Sequence, residues 1–276
     1  MPPQAYLKFS ERKDFTLRIS ELPSLGRCPG FLLCQIFREG STTAADTGST
    51  VGRFIQLFHE MGEDAIALEA ATRQVRTEQP DRWPHADIDE AVRVGSLYAV
   101  DSRNWGVVLK GSTELEVRLT LQPAPEDPTG RPIVLLGHLD QIRTDKAGRL
   151  KLWDTKNGAL TGLDLLYGYA WQLAAYSLAA TEHYGKPVTP GGIIRLQGYG
   201  VKCTPEDANE KPVFFAAPWP LEACRTMMAD VAQHVAWLRS GIVHHHPGAH
   251  CVWCPAGGPH LCGDYIADAY PEGVPL

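Results

Sequence analysis

Two acids, a lysine, an amide and a phenol fall within one stretch of this chain. Gly-His-Leu-Asp140 is followed by Leu-Trp-Asp154-Thr-Lys156-Asn-Gly158 and then by Gln172-Leu-Ala-Ala-Tyr176. Residues i and i+2 of a strand share a face, so Asp154 and Lys156 would be neighbours. The turn signal Thr144–Gly148 folds the strand carrying Asp140 back against the strand carrying Asp154. If the two pair antiparallel, their carboxylates can converge on one hard cation, with the Thr155 carbonyl as a further oxygen donor. Such a cation polarises a phosphate oxygen and lowers the pKa of a water, while Lys156 orients that water or neutralises developing charge. Gln172 and Tyr176 are four apart and share a helix face within an otherwise apolar run. The chemistry this set could do is metal-dependent phosphodiester hydrolysis. The plain alternative is a surface hairpin with an exposed Asp154–Lys156 ion pair, and a buried hydrogen-bonded pair on the helix.

The background is that of an ordinary globular protein: 276 residues, 44% hydrophobic and 21% charged, enough to bury a real core. No apolar run approaches the roughly 20 residues that cross a bilayer, and the first residues lack a signal peptide's apolar core. The expectation is a cytoplasmic protein with no membrane partner. The net charge of −6 does not advertise nucleic-acid binding. What matters there is a local basic surface, and Arg143, Lys146, Arg149 and Lys151 cluster beside the candidate acids. No Gly-x-x-x-x-Gly-Lys-Ser/Thr phosphate loop is present, so any unwinding motor would be a partner.

The elements that must hold the site follow from periodicity and breakers. Residues 1–20 read as a polar arm, and a short helix is predicted from near Pro29, with Cys28 at its N-terminus. A long helix is predicted from Val51 to about Thr77, its apolar face made by Val51, Phe54, Ile55, Phe58, Ala65 and Leu68. Thr77–His85, broken twice by proline, reads as loop, and a shorter helix follows over Ile88–Val94. Strands are predicted at Thr113–Leu121, Pro132–Ile142, Arg149–Lys156, Gly192–Tyr199 and Pro212–Ala217, with helices at Leu163–Tyr184 and Leu221–Ser240. This order predicts an α/β fold with a mixed central sheet flanked by helices, without the strict alternation of a doubly wound fold.

Gly-His-Leu-Asp140, Trp-Asp154-Thr-Lys156-Asn-Gly158 and Gln172-Leu-Ala-Ala-Tyr176 resemble the ordered motifs of the RecB-type branch of the PD-(D/E)XK nucleases, over about Ser20 to Cys262. The resemblance implies a restriction-endonuclease-like core, Mg²⁺ or Mn²⁺ dependence, and cleavage of DNA, single-stranded ends before double-stranded DNA. By it, Asp140 and Asp154 are metal ligands, Lys156 is the catalytic lysine, and Gln172 and Tyr176 support the site and touch DNA. Helicase, recombination and CRISPR-associated proteins are the partners such domains keep. The family also carries Gly-x-x-x-His early in its first long helix, the histidine being a further metal ligand. Here Gly48-Ser-Thr-Val leads to Gly52. The nearest candidate is His59, seven residues on, which at about 100° per residue returns to nearly the same face but roughly 10 Å further along; Glu60 and Glu63 are rivals. The displaced histidine motivates the alternative of a weak or inactive nucleic-acid-binding or assembly subunit that keeps the fold.

Cys251-Val-Trp-Cys254 and, after seven residues, Cys262 supply soft ligands that need a fourth to close a tetrahedral site. Cys28, followed by Pro29, is the choice. The family includes members with one cysteine upstream and three near the C-terminus that hold a [4Fe–4S] cluster, and by that resemblance Cys28, Cys251, Cys254 and Cys262 are its ligands. Zn²⁺, with His250 or His260 replacing a cysteine, is the other metal such a set takes. Either would staple the N- and C-terminal segments together, and so argues for one domain over 1–276: a helical part at about 20–95, a catalytic sheet core at about 110–220, and a closing helix with the cysteines at about 221–262.

Overall fold

The computed structural model of the chain describes residues 16–29, 32, 43–102, 106–157, 166, 168–196, 213–217, 219–240 and 242. The elements are β1 (Thr16–Arg18), a 3₁₀ turn (Ile19–Glu21), α1 (Leu22–Arg27), α2 (Thr43–Glu60), α3 (Ala65–Arg82), α4 (Ile88–Ser102), β2 (Val107–Val108), β3 (Leu115–Leu121), β4 (Ile133–Leu139), β5 (Gln141–Thr144), β6 (Leu150–Asn157), α5 (Ala170–Tyr184), β7 (Val188–Leu196), β8 (Val213–Ala216) and α6 (Leu221–Arg239). The strands form two sheets, ordered β1-β4-β3 and β2-β5-β6-β7-β8. β1 runs parallel to β4 and β6 parallel to β7, while β3–β4, β5–β6 and β7–β8 are antiparallel. The α/β arrangement flanked by helices is as expected, but the strands form two mixed sheets where a single central sheet was predicted.

Each face of the strands has its own core. Leu152, Ile142 and Ile193 pack with α5, α6 and α1 residues such as Leu173, Val231 and Leu25. Ile194 and Leu196, one step out of phase with Ile193, pack with Phe54, Phe58, Ala71 and Tyr98 of α2, α3 and α4. Alternation along β7 thus feeds two helical layers from one strand. Helix α5 is buried on most sides (Gln172 to Ser177, Ala179 and Ala180), because its alanines allow a close fit between the sheet and α6.

Several elements differ from the sequence expectation for identifiable reasons. The polar arm contains β1, which adds a parallel edge to β4 through Thr16–Arg18. Helix α1 ends at Cys28, whose N–H donates to Ser24 O, while its own carbonyl accepts the Leu32 N–H at 3.1 Å. Cys28 therefore both closes one helix and heads the next turn. The long helix is two helices: Gly62 (φ 115°) and Glu63 (φ 61°) break it, and the Asp64 carboxylate restarts it by accepting the Ala67 N–H. That restart resets the register, so Ala65 is exposed while Ala67, Ala71 and Val75 face inward. Pro80 does not end α3, which runs on to Arg82, with Glu78 holding Arg53 at 2.9 Å and Arg82 at 3.0 Å.

The most consequential difference lies at Asp140. The expected single strand Pro132–Ile142 is β4 and β5, in different sheets, and its inward residues slip phase at the join. Leu135 and Leu139 face the α5 core, and so does Ile142, three residues on, where an unbroken strand would present residue 141. The loop between β2 and β3 fills the gap: Leu109 N–H and Ser112 Oγ–H donate to Ile142 O, Ile142 N–H donates to Ser112 Oγ, and Glu114 N–H donates to Asp140 O.

Candidate active site

Strand β5 pairs with β6 in the register Gln141↔Trp153 and Ile142↔Leu152. The next step of that register sets Asp140 opposite Asp154, on the face that also carries Lys156. Like charges directly opposite destabilise a ladder, so an acid pair here asks for a cation. Lys156 Nζ supplies one at 2.7 Å from Asp154 Oδ2. Gln172 of α5 donates its amide to Asp154 Oδ1 at 3.0 Å. The Thr155 N–H donates to Asp140 Oδ2, holding that carboxylate against β6. Tyr176, one helical turn beyond Gln172, lays its phenol over Gly137, where a Cβ would stand 2.9 Å from the hydroxyl. The glycine of Gly-His-Leu-Asp140 is thus the seat of the Tyr176 ring. The structure brings Asp140, Asp154, Lys156, Gln172 and Tyr176 together as expected, with Thr155 between the acids.

A sixth group belongs to this cluster and was not anticipated. Glu114 precedes β3 with φ of 50°. Its side chain lies 3.1 Å from where a Cβ on Gly52 of α2 would stand. The alternation of Thr113–Leu121 makes Glu114 read as a solvent-facing strand residue. The turn at Ser112–Glu114, bonded across the β4–β5 join, moves it out of that pattern; the adjacent Gly111 is the one available signal.

The electrostatics follow from burial. Desolvation, reinforced by the charge of Asp154, pushes Asp140 well above the carboxylate range. Desolvation also raises Asp154, against the opposing pull of Lys156. Glu114 is pushed up to about 7, by desolvation and then by Asp154, with Lys156 and Arg53 opposing. Burial alone would lower Lys156, yet Asp154 and Asp140 hold its ammonium well above its ordinary value. Desolvation and the same acids raise the Tyr176 phenol. Lys156 is therefore a fixed ammonium, suited to donating hydrogen bonds and offsetting negative charge.

The donors fit a hard cation such as Mg²⁺ or Mn²⁺. All are oxygens, and Asp154 Oδ2, inside a residue only 1% exposed, has Lys156 Nζ at 2.7 Å and, among the described residues, no further donor. Among the described residues, no three His, Cys, Asp or Glu side chains already stand in ligand geometry. Such cations are commonly held by one or two carboxylates with waters and substrate phosphates completing the shell.

His59 is not delivered to this cluster. Its Nδ1 is 2.9 Å from Glu63 and its Nε2 2.6 Å from the Tyr98 hydroxyl, so both ring nitrogens are engaged. Tyr98 in turn donates to Gln141 Oε1, and Gln141 donates to Thr155 Oγ1. These groups lie on the face of β5 and β6 opposite Asp154 and Lys156, because Gln141, Trp153 and Thr155 alternate with them. The rival Glu60 accepts from Gln56. Arg143, expected in a basic surface patch, is 2% exposed and belongs to the same rear network. Cys28 is buried, and Cys251, Cys254 and Cys262 lie outside the described residues.

Beside Lys156, Tyr169 heads α5 with Lys156 Nζ 4.9 Å and the Arg27 guanidinium 5.8 Å from its ring centre. A cleft of about 340 Å³ lined by Leu22, Gly26, Arg27, Gly168, Ala170 and Trp171 adjoins it.

With this geometry in view, residues 19–258 match the PD-(D/E)XK nuclease superfamily. The chain belongs to that superfamily, whose members hydrolyse phosphodiester bonds and typically use Mg²⁺ or Mn²⁺. Among solved structures it is similar to a putative exonuclease from Eubacterium rectale, at 13% identity over 89% of each chain with a TM-score of 0.51. It is also similar to the protein described as SSO0001, at 13% identity over 92% of each chain with a TM-score of 0.41. No curated protein sequence matches it. Among the described residues, no helix is long and apolar enough to cross a membrane.

Proposed function

We propose that the chain is a RecB-type, Mg²⁺- or Mn²⁺-dependent deoxyribonuclease that acts on single-stranded ends or flaps. The observation that carries this reading is the pair Asp140 and Asp154, set opposite one another, with the Asp154 carboxylate buried and Lys156 Nζ 2.7 Å from it. Asp140, Asp154 and the Thr155 carbonyl are the proposed metal-holding groups. When bound, the metal supplies Lewis-acid polarisation of the phosphate and a more acidic water. The water oxygen bonds to phosphorus and releases a proton to solvent, the bond from phosphorus to the departing sugar oxygen breaks, and that oxygen takes up a proton from solvent. Lys156, held as an ammonium, orients the attacking water and offsets charge on the phosphoryl oxygens. Gln172 fixes Asp154 in its rotamer, and Tyr176 closes the site against Gly137.

Tyr169 and Arg27 support a single strand as substrate. An aromatic ring flanked by cations beside the site is the kind of platform on which unpaired bases stack, whereas a duplex keeps its bases covered. Cys28, Cys251, Cys254 and Cys262 are proposed to hold a [4Fe–4S] cluster, with Zn²⁺ as the other metal, joining both ends of one domain. The support is three cysteines within twelve residues and a buried fourth. Metal binding of that kind contributes on the order of 10 kcal/mol to folding.

End-labelled single-stranded DNA incubated with Mn²⁺ tests the activity, with Lys156→Ala as the control. Metal-dependent shortening that Lys156→Ala abolishes is expected. No cleavage would leave a nucleic-acid-binding subunit, and cleavage that survives Lys156→Ala would end the assignment. The absorbance spectrum and metal content of freshly purified protein separate a brown iron–sulfur protein from a colourless zinc one.

A further inference from the structure

We propose that the cleft between α1 and α5 is a nucleotide subsite beside the reacting centre. Arg27 takes a phosphate of the single strand near the one being cut, and Trp171 takes the apolar part of that nucleotide. This rests on the reading of the chain as a nuclease of single strands and names the place where the strand is gripped.

The first support is the state of Arg27. It ends α1, half-buried at the cleft, in a chain with 32 acids against 26 lysines and arginines. Arg53, Arg93 and Arg239, likewise withdrawn from solvent, each hold a carboxylate. Among the described residues Arg27 holds none. Its guanidinium rests 5.8 Å from the centre of the Tyr169 ring and makes no hydrogen bond and no ion pair. A cation drawn partly out of water without an acid costs stability, and an anion that arrives from outside offsets that cost.

The second support is the room kept for such an anion. The cleft of about 340 Å³ stays open at two glycines. A Cβ on Gly168 would stand 2.9 Å from Arg27 Nη2, and one on Gly26 would stand 3.2 Å from the Trp171 ring. Trp171 is braced from behind by the His234 ring of α6, edge to face, with 5.0 Å between centres. One cation is thus set beside a wall made by Leu22, Ala170 and Trp171. A charged grip next to an aromatic wall suits a phosphate together with its base or sugar better than a bare anion.

The third support is continuity with the reacting centre. Lys156 Nζ is 4.9 Å and Arg27 Cζ 5.8 Å from the centre of the same Tyr169 ring, so the two charges stand no more than about 11 Å apart. Phosphates follow one another at about 3.4 Å of axis in a duplex strand, and at more when a single strand is stretched. A phosphate held at Lys156 therefore leaves a near neighbour within reach of Arg27.

The test scans a short single-stranded oligonucleotide in which one phosphate at a time is replaced by an uncharged methylphosphonate. Binding is followed by fluorescence anisotropy in Mn²⁺ with the full-length Lys156→Ala protein, so that the strand is held and not cut. One linkage near the cut should stand out, its neutralisation weakening binding about tenfold. Adding Arg27→Gln should weaken the natural strand by the same factor and erase the effect of that one linkage. The slope of log affinity against log salt should become shallower by about 0.7, the value for one phosphate contact on a single strand. Gly168→Ala, which displaces only the guanidinium tip, should weaken binding when Arg27 is present and add nothing to Arg27→Gln. Natural affinity in Arg27→Gln, or a methylphosphonate profile that Arg27→Gln leaves unchanged, would overturn the inference. If the parent chain cuts single strands while that profile is unchanged, only the subsite fails. If the profile responds to Arg27→Gln but the parent chain cuts no strand, the subsite stands and the nuclease reading fails.

Discussion

The two faces of β5 and β6 solve the burial of charge in opposite ways. On the rear face, Arg143 is almost wholly buried, yet its guanidinium donates to Gln141 Oε1, Tyr98 Oη and the carbonyls of Ser102 and Gly106, at 2.7–3.1 Å. These four acceptors are neutral, and together they solvate the cation. On the front face, desolvation and then the charge of Asp154 raise the pKa of both Asp140 and Glu114, and among the described residues a single ammonium, Lys156, stands against them, 2.7 Å from Asp154 Oδ2. A satisfied buried charge stabilises the fold, whereas unsatisfied charges cost stability and are retained where a ligand completes them. The rear network therefore reads as structure and the front cluster as function.

The comparison breaks most plainly under substitution on the front face. Asp154→Asn or Lys156→Ala should lower cleavage by about 10³ or more, roughly 4 kcal/mol in the barrier. Asp154→Asn should at the same time leave the metal-free protein at least as resistant to heat. A matching loss of melting temperature would mean that the acid is structural.

Arg143→Met should do the reverse. Truncation leaves four acceptors without their donor, a loss on the order of 3 kcal/mol in unfolding free energy by urea titration. Mn²⁺ affinity of the folded fraction should be retained, and a large drop would join the two faces into one site.

The faces should also differ in the sign of their pH dependence. Glu114 is raised from 4.5 to about 7, so between those values the folded state holds more protons than the unfolded state, and stability falls as pH rises. Asp140 and Asp154, also raised, act in the same direction from their ordinary 3.8 upward. His59 is lowered by desolvation against the pull of Glu63, so its contribution is present above 6.5 and is lost as pH falls below it. Melting temperature of metal-free protein across pH 4.5 to 7 should therefore show a falling arm that Glu114→Gln flattens and saturating Mn²⁺ cancels. Discounted for solvent screening of a group that is only partly buried, the arm from Glu114 should amount to on the order of 1–2 kcal/mol. An arm unchanged in Glu114→Gln would remove that residue from the front cluster.

The smallest effect expected is at the edge of the front face. Tyr169→Ala should weaken binding of short single-stranded DNA by about 1 kcal/mol, the low end for one stacked base, with kcat little changed. Equal loss on duplex DNA would mean that Tyr169 positions Lys156 instead of receiving a base.

Much of the site was legible because it obeys short-range periods. Asp154 and Lys156 share a face by the strand's alternation, and Gln172 and Tyr176 share one by the helical repeat. The hairpin turn makes Asp140 meet Asp154. The helical layers were legible in kind, but their breaks were not: the Gly62–Glu63 kink looks like continuous helix, and Pro80 looks like an end. Arg143 reads as a basic patch because its neighbours Lys146, Arg149 and Lys151 are charged. Only the acceptors of Ser102, Gly106 and Tyr98, about forty residues upstream, decide that it is buried.

The amino-acid order by itself determined the acid pair, the lysine on the same strand face as Asp154, and the supporting amide and phenol, since each depends on spacing along one or two adjacent elements. The tertiary structure decided which further groups join them. The phase slip at Asp140, the placement of Glu114 over Gly52 and the diversion of His59 to Tyr98 all arise where distant segments compete for the same backbone bonds and the same space. No local period carries that information, because the bond from Glu114 to Asp140 and the one from His59 to Tyr98 each join residues far apart in the chain.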